Sequence, residues 1–81
     1  MEITLFSNPS GKSISVWYND KDAGAVDIAI IDLYGNIVLI IRGYLSGEVI
    51  EPDLKPGLYL CRVKWKYGKV SVVKMVVLGN S

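Results

Sequence analysis

The sequence of 81 residues predicts a small all-β domain, an antiparallel β-sandwich of about seven strands. Short runs of alternating apolar and polar residues are separated by turn clusters, and no stretch has the apolar period of a helix. Apolar residues make up 51% of the chain, enough to cover one face of each strand, and a chain of this length has room for one core. We therefore expect residues 1–81 to form a single domain.

The strands follow from the turns that separate them. Asn or Gly stands in each turn cluster, where positive φ is needed, and the short clusters at 34–36 and 67–68 predict β-hairpins within a meander. Apolar parity changes at Ile30 and Ile31, where we expect a β-bulge, and in the last strand, where we expect a bend or a change of sheet. The predicted strands span residues 3–6, 13–18, 25–33, 36–42, 48–51, 57–65 and 69–78.

A turn at residues 54–59 indicates the kind of sandwich. Pro56 fixes φ near about −65°, Gly57 allows a backbone conformation closed to other residues, and Leu54 is placed to pack beneath the turn. Tyr59 then begins a strand with its ring buried and its hydroxyl directed back to the preceding backbone. This arrangement is the tyrosine corner of immunoglobulin-like folds, so we predict an immunoglobulin-like sandwich.

Alternation along the strand that follows separates an inner row from an outer one. Cys61 and Trp65 fall in the inner row with Tyr59, whereas Leu58 and Leu60 face outward. An outward apolar pair is unusual and indicates a contact surface. Cys61 is the only cysteine, which excludes an internal disulfide, and without a histidine partner we interpret it as a small buried apolar residue.

Charge is unevenly distributed, although the net charge is only +1. Residues 1–53 hold three Lys and Arg against eight Asp and Glu, whereas residues 54–81 hold six against none. Arg62, Lys64 and Lys66 alternate on one strand face and form a basic strip that can attract lipopolysaccharide phosphate or nucleic acid. The alternative is a solvated strand face, with or without ion pairs to the acidic first half. The near-neutral charge and the lack of exposed aromatic residues argue against a nucleic-acid partner.

Patterns for catalysis or metal binding are weak. The chain has no histidine, the usual general base and zinc ligand. Asp20 and Asp22 resemble part of a calcium loop that lacks its later ligands, and Asp27 and Asp32 have opposite strand parity unless a bulge intervenes. We therefore predict no enzymatic activity, no metal and no cofactor.

Four motifs occur in order along nearly the whole chain. They read NPS at residues 8–10, DLYGNIV at 32–38, LKPGLY at 54–59 and VKMVVL at 73–78. In this order and spacing, the chain resembles the type A C-terminal sorting domain of the type IX secretion system. The fold-motif positions that the resemblance implies are Pro9, Gly35, Pro56, Gly57 and Tyr59. The recognition positions that it implies are Lys74, Met75, Val76, Val77 and Leu78.

The resemblance implies that the domain acts as a secretion signal for the protein to which it is attached. In that family, an immunoglobulin-like domain at the C-terminus of an exported cargo protein of Bacteroidota-type bacteria is recognised by the outer-membrane secretion machinery and removed by a sortase-like protease. The implied partners are this machinery, the protease and an N-terminal cargo domain. The implied location is the periplasm in transit, then the outer-membrane surface or the extracellular space. Asn36 departs from the family, which usually has Arg or Lys there, and residues 79–81 extend past the point where many members stop.

Other interpretations of the same residues stay open. Turn geometry alone explains Pro9, Gly35, Gly57 and Tyr59, and protection of an edge strand explains Lys74. The alternative function is a fibronectin type III-like or carbohydrate-associated spacer or binding module of a secreted protein. Unprotected edges also allow a weak homodimer through strand pairing.

Overall fold

The computed structural model describes residues 3–7, 13–19 and 24–77, the first range as backbone only. These ranges are all-β and contain six strands of five to eight residues and a two-residue strand, β5. The structure therefore has six full strands where seven were predicted, because the strand at 48–51 shortens to two residues ahead of Pro52, which has no amide to donate. The strands are β1 (Ile3–Ser7), β2 (Ile14–Tyr18), β3 (Val26–Ile31), β4 (Ile37–Tyr44), β5 (Val49–Ile50), β6 (Gly57–Lys64) and β7 (Val70–Val77).

Two antiparallel sheets form the sandwich. The three-stranded sheet has the order β1-β2-β5, and the four-stranded sheet has the order β4-β3-β6-β7. In immunoglobulin lettering these sheets are A-B-E and C′-C-F-G. The hairpins β3–β4 and β6–β7 are confirmed. The prediction of a meander is wrong, because the chain passes from one sheet to the other after β2, after β4 and after β5.

The core lies between the sheets and consists mainly of side chains from β2, β3, β6 and β7. Alternation along each strand places one set of side chains inward, as Cys61 and Trp65 of the predicted inner row show. Removing these apolar side chains from water is the main favourable contribution to folding. The buried residues of this cluster are Ile14, Val16, Val26, Ile28, Ile30, Tyr44, Tyr59, Cys61, Val63, Trp65, Met75 and Val77.

The ladder is irregular near the end of β3, where a bulge was predicted. β3 and β4 shift register between Ile30 and Ile31, but the extra residue, Val38, lies in β4. β3 itself alternates without a break against β6, so Ile31 faces outward, and the expectation that a bulge would bury both halves of β3 is wrong. A second shift lies between Val26 and Ile28, opposite Gly43, whose φ is +71°. The extra residue in β4 lets the strand continue past Gly43, although the sequence had suggested an end at residue 42.

The break predicted in the last strand is wrong. β6 and β7 pair from Gly57↔Val77 to Lys64↔Val70 without a register shift. The inner row of β7 therefore runs regularly through Ser71 and residues 73, 75 and 77, with a half-buried serine where an apolar residue was expected. The valines at 70 and 72, which suggested the break, face outward on the other side of the sheet.

The tyrosine corner is confirmed. The Tyr59 hydroxyl donates to the Lys55 carbonyl over 2.6 Å, and the Tyr59 side chain is buried. Leu54 packs against the core, as the turn predicted. This contact fixes the path of the chain where it enters β6 from the long connection after β5.

Tyr44 joins the two sheets. This residue ends β4 in one sheet, and its hydroxyl accepts the Val16 N–H from β2 in the other sheet over 2.8 Å. The same hydroxyl donates to the Glu48 carbonyl over 2.5 Å, next to β5. Burial raises the pKa of Tyr44, so the phenol stays protonated and keeps its donor.

Tyr18 makes the reciprocal connection from β2. Its hydroxyl donates to the Gly24 carbonyl over 2.6 Å and accepts the Ser46 N–H over 3.0 Å. Its ring makes a T-shaped contact with the Trp65 ring, with 5.0 Å between the ring centroids. Together with Tyr44, Tyr18 fixes the crossing from β4 to β5 and therefore the position of the four-stranded sheet on its partner.

The corner predicts two distinct losses of stability. Tyr59→Phe removes only the hydrogen bond to the Lys55 carbonyl, so we expect the free energy of unfolding to fall by about 1 kcal/mol. Tyr59→Ala also removes the buried ring, for an expected loss of about 3–5 kcal/mol. Chemical denaturation measures both. A loss below about 1 kcal/mol for the alanine variant would contradict the corner.

Candidate recognition surface

β7 is an edge strand of the four-stranded sheet. It hydrogen-bonds to β6 on one side only, while β1 of the other sheet comes close to it without joining its ladder. Backbone groups on the far side of an edge strand can pair with an added strand, and a lysine in such a strand disfavours uncontrolled pairing. β7 therefore offers a backbone edge as well as a side-chain face.

The predicted recognition residues divide between the two faces of β7. Met75 and Val77 point into the core and are almost completely buried. Lys74 and Val76 are exposed on the outer face, whereas Leu78 lies outside the described residues. A partner that binds the folded domain can therefore contact the side chains of Lys74 and Val76, and it can reach the buried pair only through their backbone.

Three of the four sequence motifs meet at one end of the four-stranded sheet. The β3–β4 turn contains Gly35, and Ile31 just before it lies opposite Leu60 of β6. Gly57 of the corner lies opposite Val77 of β7. A shallow depression at this end is lined by Asp32 and Val38 from one motif and by Leu54, Lys55 and Tyr59 from another. We call this region, formed by residues 32–38, 54–59 and 76–77, the motif end.

The fold-motif residues have structural roles at this end. Gly35 occupies the β3–β4 turn with φ +86°, and Gly57 begins β6 with φ +156°. Pro56 is exposed before it, and Tyr59 forms the corner. The remaining member, Pro9, lies outside the described residues, as do Asp20 and Asp22 of the partial calcium loop.

Asp32 shapes the turn at the motif end. Its carboxylate accepts the N–H groups of Tyr34 and Asn36, each over 2.9 Å, which is an Asx-type turn. The backbone N–H of Asn36 is the largest cause of a lowered Asp32 pKa. Asp32 and Asp27 therefore have separate structural uses, since the Asp27 carboxylate accepts the Gly43 N–H at the second bulge over 3.2 Å.

The outer face of the four-stranded sheet is apolar and basic. Its middle rows set Arg62 between Ala29 and Val72, and Leu60 between Ile31 and Lys74. Val72 is 56% exposed, which is high for a strand valine. We define the outer face by the side chains that this register directs away from the core: Asp27, Ala29, Ile31, Ile37, Ile40, Arg42, Leu58, Leu60, Arg62, Lys64, Val70, Val72, Lys74 and Val76.

The outer face carries more positive than negative charge. Arg42, Arg62, Lys64 and Lys74 stand against Asp27 alone. In the described part of the chain one ion pair occurs, between Arg42 and Asp27 at 4.0 Å, and both side chains are largely exposed. A pair this exposed contributes little stability. Within the described residues, none of Arg62, Lys64 and Lys66 forms an ion pair with the acidic first half, and Lys66 lies in the β6–β7 turn rather than on the strand.

Ala29 makes a shallow concavity in this face. The alanine is 5% exposed because larger neighbours surround it, namely Ile40, Arg42, Arg62 and Lys64. Sequence alternation placed Arg62 and Lys64 on one face, but the contributions of Ile40 and Arg42 depend on how β4 pairs with β3. The outward position of Leu58 and Leu60, predicted from alternation, is confirmed by their place in the register.

Cys61 is buried in the centre of the core. Burial raises the pKa of the Cys61 thiol to about 11, which disfavours the reactive thiolate. Among residues 3–7, 13–19 and 24–77, no group of three His, Cys, Asp or Glu could hold a metal ion. The same residues include no helix that is long and apolar enough to cross a membrane.

Comparison with protein-family models gives no match to this chain, and none of the curated proteins matches it.

The burial of Cys61 predicts that its thiol reacts slowly with disulfide reagents. At pH 8 a thiol with a pKa of about 11 is ionised in roughly one molecule in a thousand, and burial also blocks access. We expect a thiol-reactive disulfide reagent to modify the native domain at least about 100-fold more slowly than the denatured chain. A Val72→Cys variant, with one added exposed thiol, should show one fast and one slow group. Equal rates in the native and denatured wild-type chain would contradict the burial of Cys61.

Proposed function

We propose that this domain is a sorting signal that directs an attached cargo protein through the type IX secretion system to the cell surface. The partners are the outer-membrane secretion machinery, which recognises the folded domain, and a sortase-like protease, which removes it. The domain acts through its surface rather than through catalysis.

The observation that carries the proposal is the convergence of three motifs at the motif end. The stretches at 32–38, 54–59 and 73–78 are far apart in the sequence, yet the ladder pairs that hold Ile31, Gly57 and Val77 bring them to one end of one sheet. A single partner could contact all three. The exposed Lys74 and the edge of β7 that has no ladder partner among the described residues lie next to this end and extend the surface available for contact.

A fibronectin type III-like spacer or binding module is the second candidate. The strand order and the tyrosine corner suit that module equally, since turn geometry alone requires Gly35, Gly57 and Tyr59. What favours sorting is the closing strand. Edge protection accounts for Lys74 in either module, but the position of Lys74 beside the motif end also allows a recognition strand to use it as a charged contact.

Export of a fused reporter tests the proposal. A reporter placed ahead of residues 1–81 should reach the cell surface of a bacterium that has type IX secretion, and it should stay in the periplasm when the secretion channel is disabled. Deleting residues 76–81 should abolish delivery, because it removes the last part of β7 at the motif end. Deleting residues 78–81 leaves β7 complete and separates loss of the tail from loss of the strand.

A matched pair of single substitutions sharpens this test. Lys74→Gln removes the positive charge beside the motif end, whereas Lys66→Gln removes one from the β6–β7 turn at the opposite end of the sheet. We expect reduced surface delivery for the first variant alone. Periplasmic retention of the wild-type fusion despite a folded domain would overturn the proposal and favour the spacer module.

A further inference from the structure

We propose that the outer face of the four-stranded sheet is a second contact surface and that it docks on an acidic protein surface with an apolar centre. This inference rests on the proposed function, because it assigns that surface to a component of the secretion machinery. It adds contacts on β3, β4 and β6, which none of the recognition positions includes.

The outer face exposes aliphatic side chains that a bound partner would remove from water. Ile40, Val72 and Val76 are each about half exposed, with 50%, 56% and 51% of their surfaces in contact with solvent. Val76 lies beside Leu58, and Leu60 beside Ile31, so these aliphatic groups are neighbours across the ladder. Val72 and Ile40 lie on either side of the Ala29–Arg62 pair. A contiguous exposed apolar surface on a small domain is typical of an interaction site.

The charges select the partner. Four cationic side chains stand around the aliphatic groups, and Asp27 is the one acidic group on the face. A second copy of the domain would place like charges against one another, which disfavours self-association through this face. An acidic partner gains attraction from Arg62, Lys64 and Lys74, none of which has an ion-pair partner within the described residues.

The side chains of the face also favour protein over other anionic ligands. The face has no aromatic ring, so it lacks the stacking groups that bind single-stranded nucleic acid and the aromatic anchors of membrane-surface segments. Branched aliphatic groups with arginine are instead suited to a protein interface, where an apolar centre is surrounded by polar and charged groups. The concavity over Ala29 can accept a carboxylate-bearing side chain between Arg42, Arg62 and Lys64.

Charge reversal on the face tests the inference. The double variant R62E/K64E changes two exposed or half-buried groups that make no ion pair in the described structure, so the domain should still fold. The control K66E/K69E makes the same change in net charge in the β6–β7 turn, away from the apolar rows. We expect surface delivery of the reporter to fall at least about tenfold for R62E/K64E and to stay near the wild-type level for the control.

A milder variant covers the possibility that R62E/K64E is unstable, since Lys64 lies opposite Asp27. R62Q/K64Q adds no negative charge beside Asp27. It should also reduce surface delivery, by a smaller factor than R62E/K64E does. If both pairs of substitutions on the face leave delivery unchanged while the wild-type fusion is exported, the second contact surface is refuted and the proposed function stands. If the wild-type fusion itself fails to reach the surface, the proposed function and this inference fall together.

Vesicle sedimentation separates a protein partner from a lipid surface. The 81-residue chain is mixed with vesicles that contain phosphatidylglycerol and, as a control, with vesicles of phosphatidylcholine alone. We expect no difference between the two. Binding to the anionic vesicles that is lost in R62E/K64E would overturn the assignment of a protein partner and give the face to a membrane surface.

Discussion

The hydroxyl of Tyr44 is the contact on which the arrangement of the two sheets depends. Apolar burial brings the sheets together but is not directional, so it does not by itself fix how one lies on the other. Tyr44 adds direction, because its ring lies in the core and its hydroxyl bonds to Val16 of the opposite sheet and to Glu48 just before β5. If this hydroxyl were lost, the Val16 N–H would be buried without its partner, which is costly in a low-dielectric interior.

The two sides of the four-stranded sheet have different roles, since the inner side stabilises the fold and the outer side is free to contact a partner. The inner side carries the core and the two tyrosine connections, and a substitution there acts through stability. The outer side and the edge of β7 carry exposed valine, lysine and arginine side chains that the fold does not need for its core. The proposed recognition surface therefore lies where a substitution costs little stability. This separation is what a domain needs if it acts by presenting a surface rather than by chemistry.

Local sequence rules predicted the features that depend on neighbouring residues. The corner at Tyr59, the two hairpins and the burial of Cys61 follow from turn chemistry and strand alternation. The rules failed where pairing partners decide the outcome. Gly43 looked like the end of a strand, but a bulge carries β4 on to Tyr44, and the inner row of β7 accepts Ser71 because its partner strand holds the register. The motif end and the outer face likewise exist only once β4, β3, β6 and β7 are placed side by side.

The most direct measurement is amide hydrogen exchange at Val16, compared between the wild type and Tyr44→Phe. If Tyr44 joins the sheets, the Val16 amide of the wild type exchanges only through global unfolding, as slowly as the slowest amides of the β3–β6 pair. In the phenylalanine variant the free energy of unfolding should fall by about 1–3 kcal/mol, and Val16 should exchange faster than those reference amides. Val16 exchange that is fast in the wild type, or unchanged relative to the β3–β6 amides in the variant, would contradict this account.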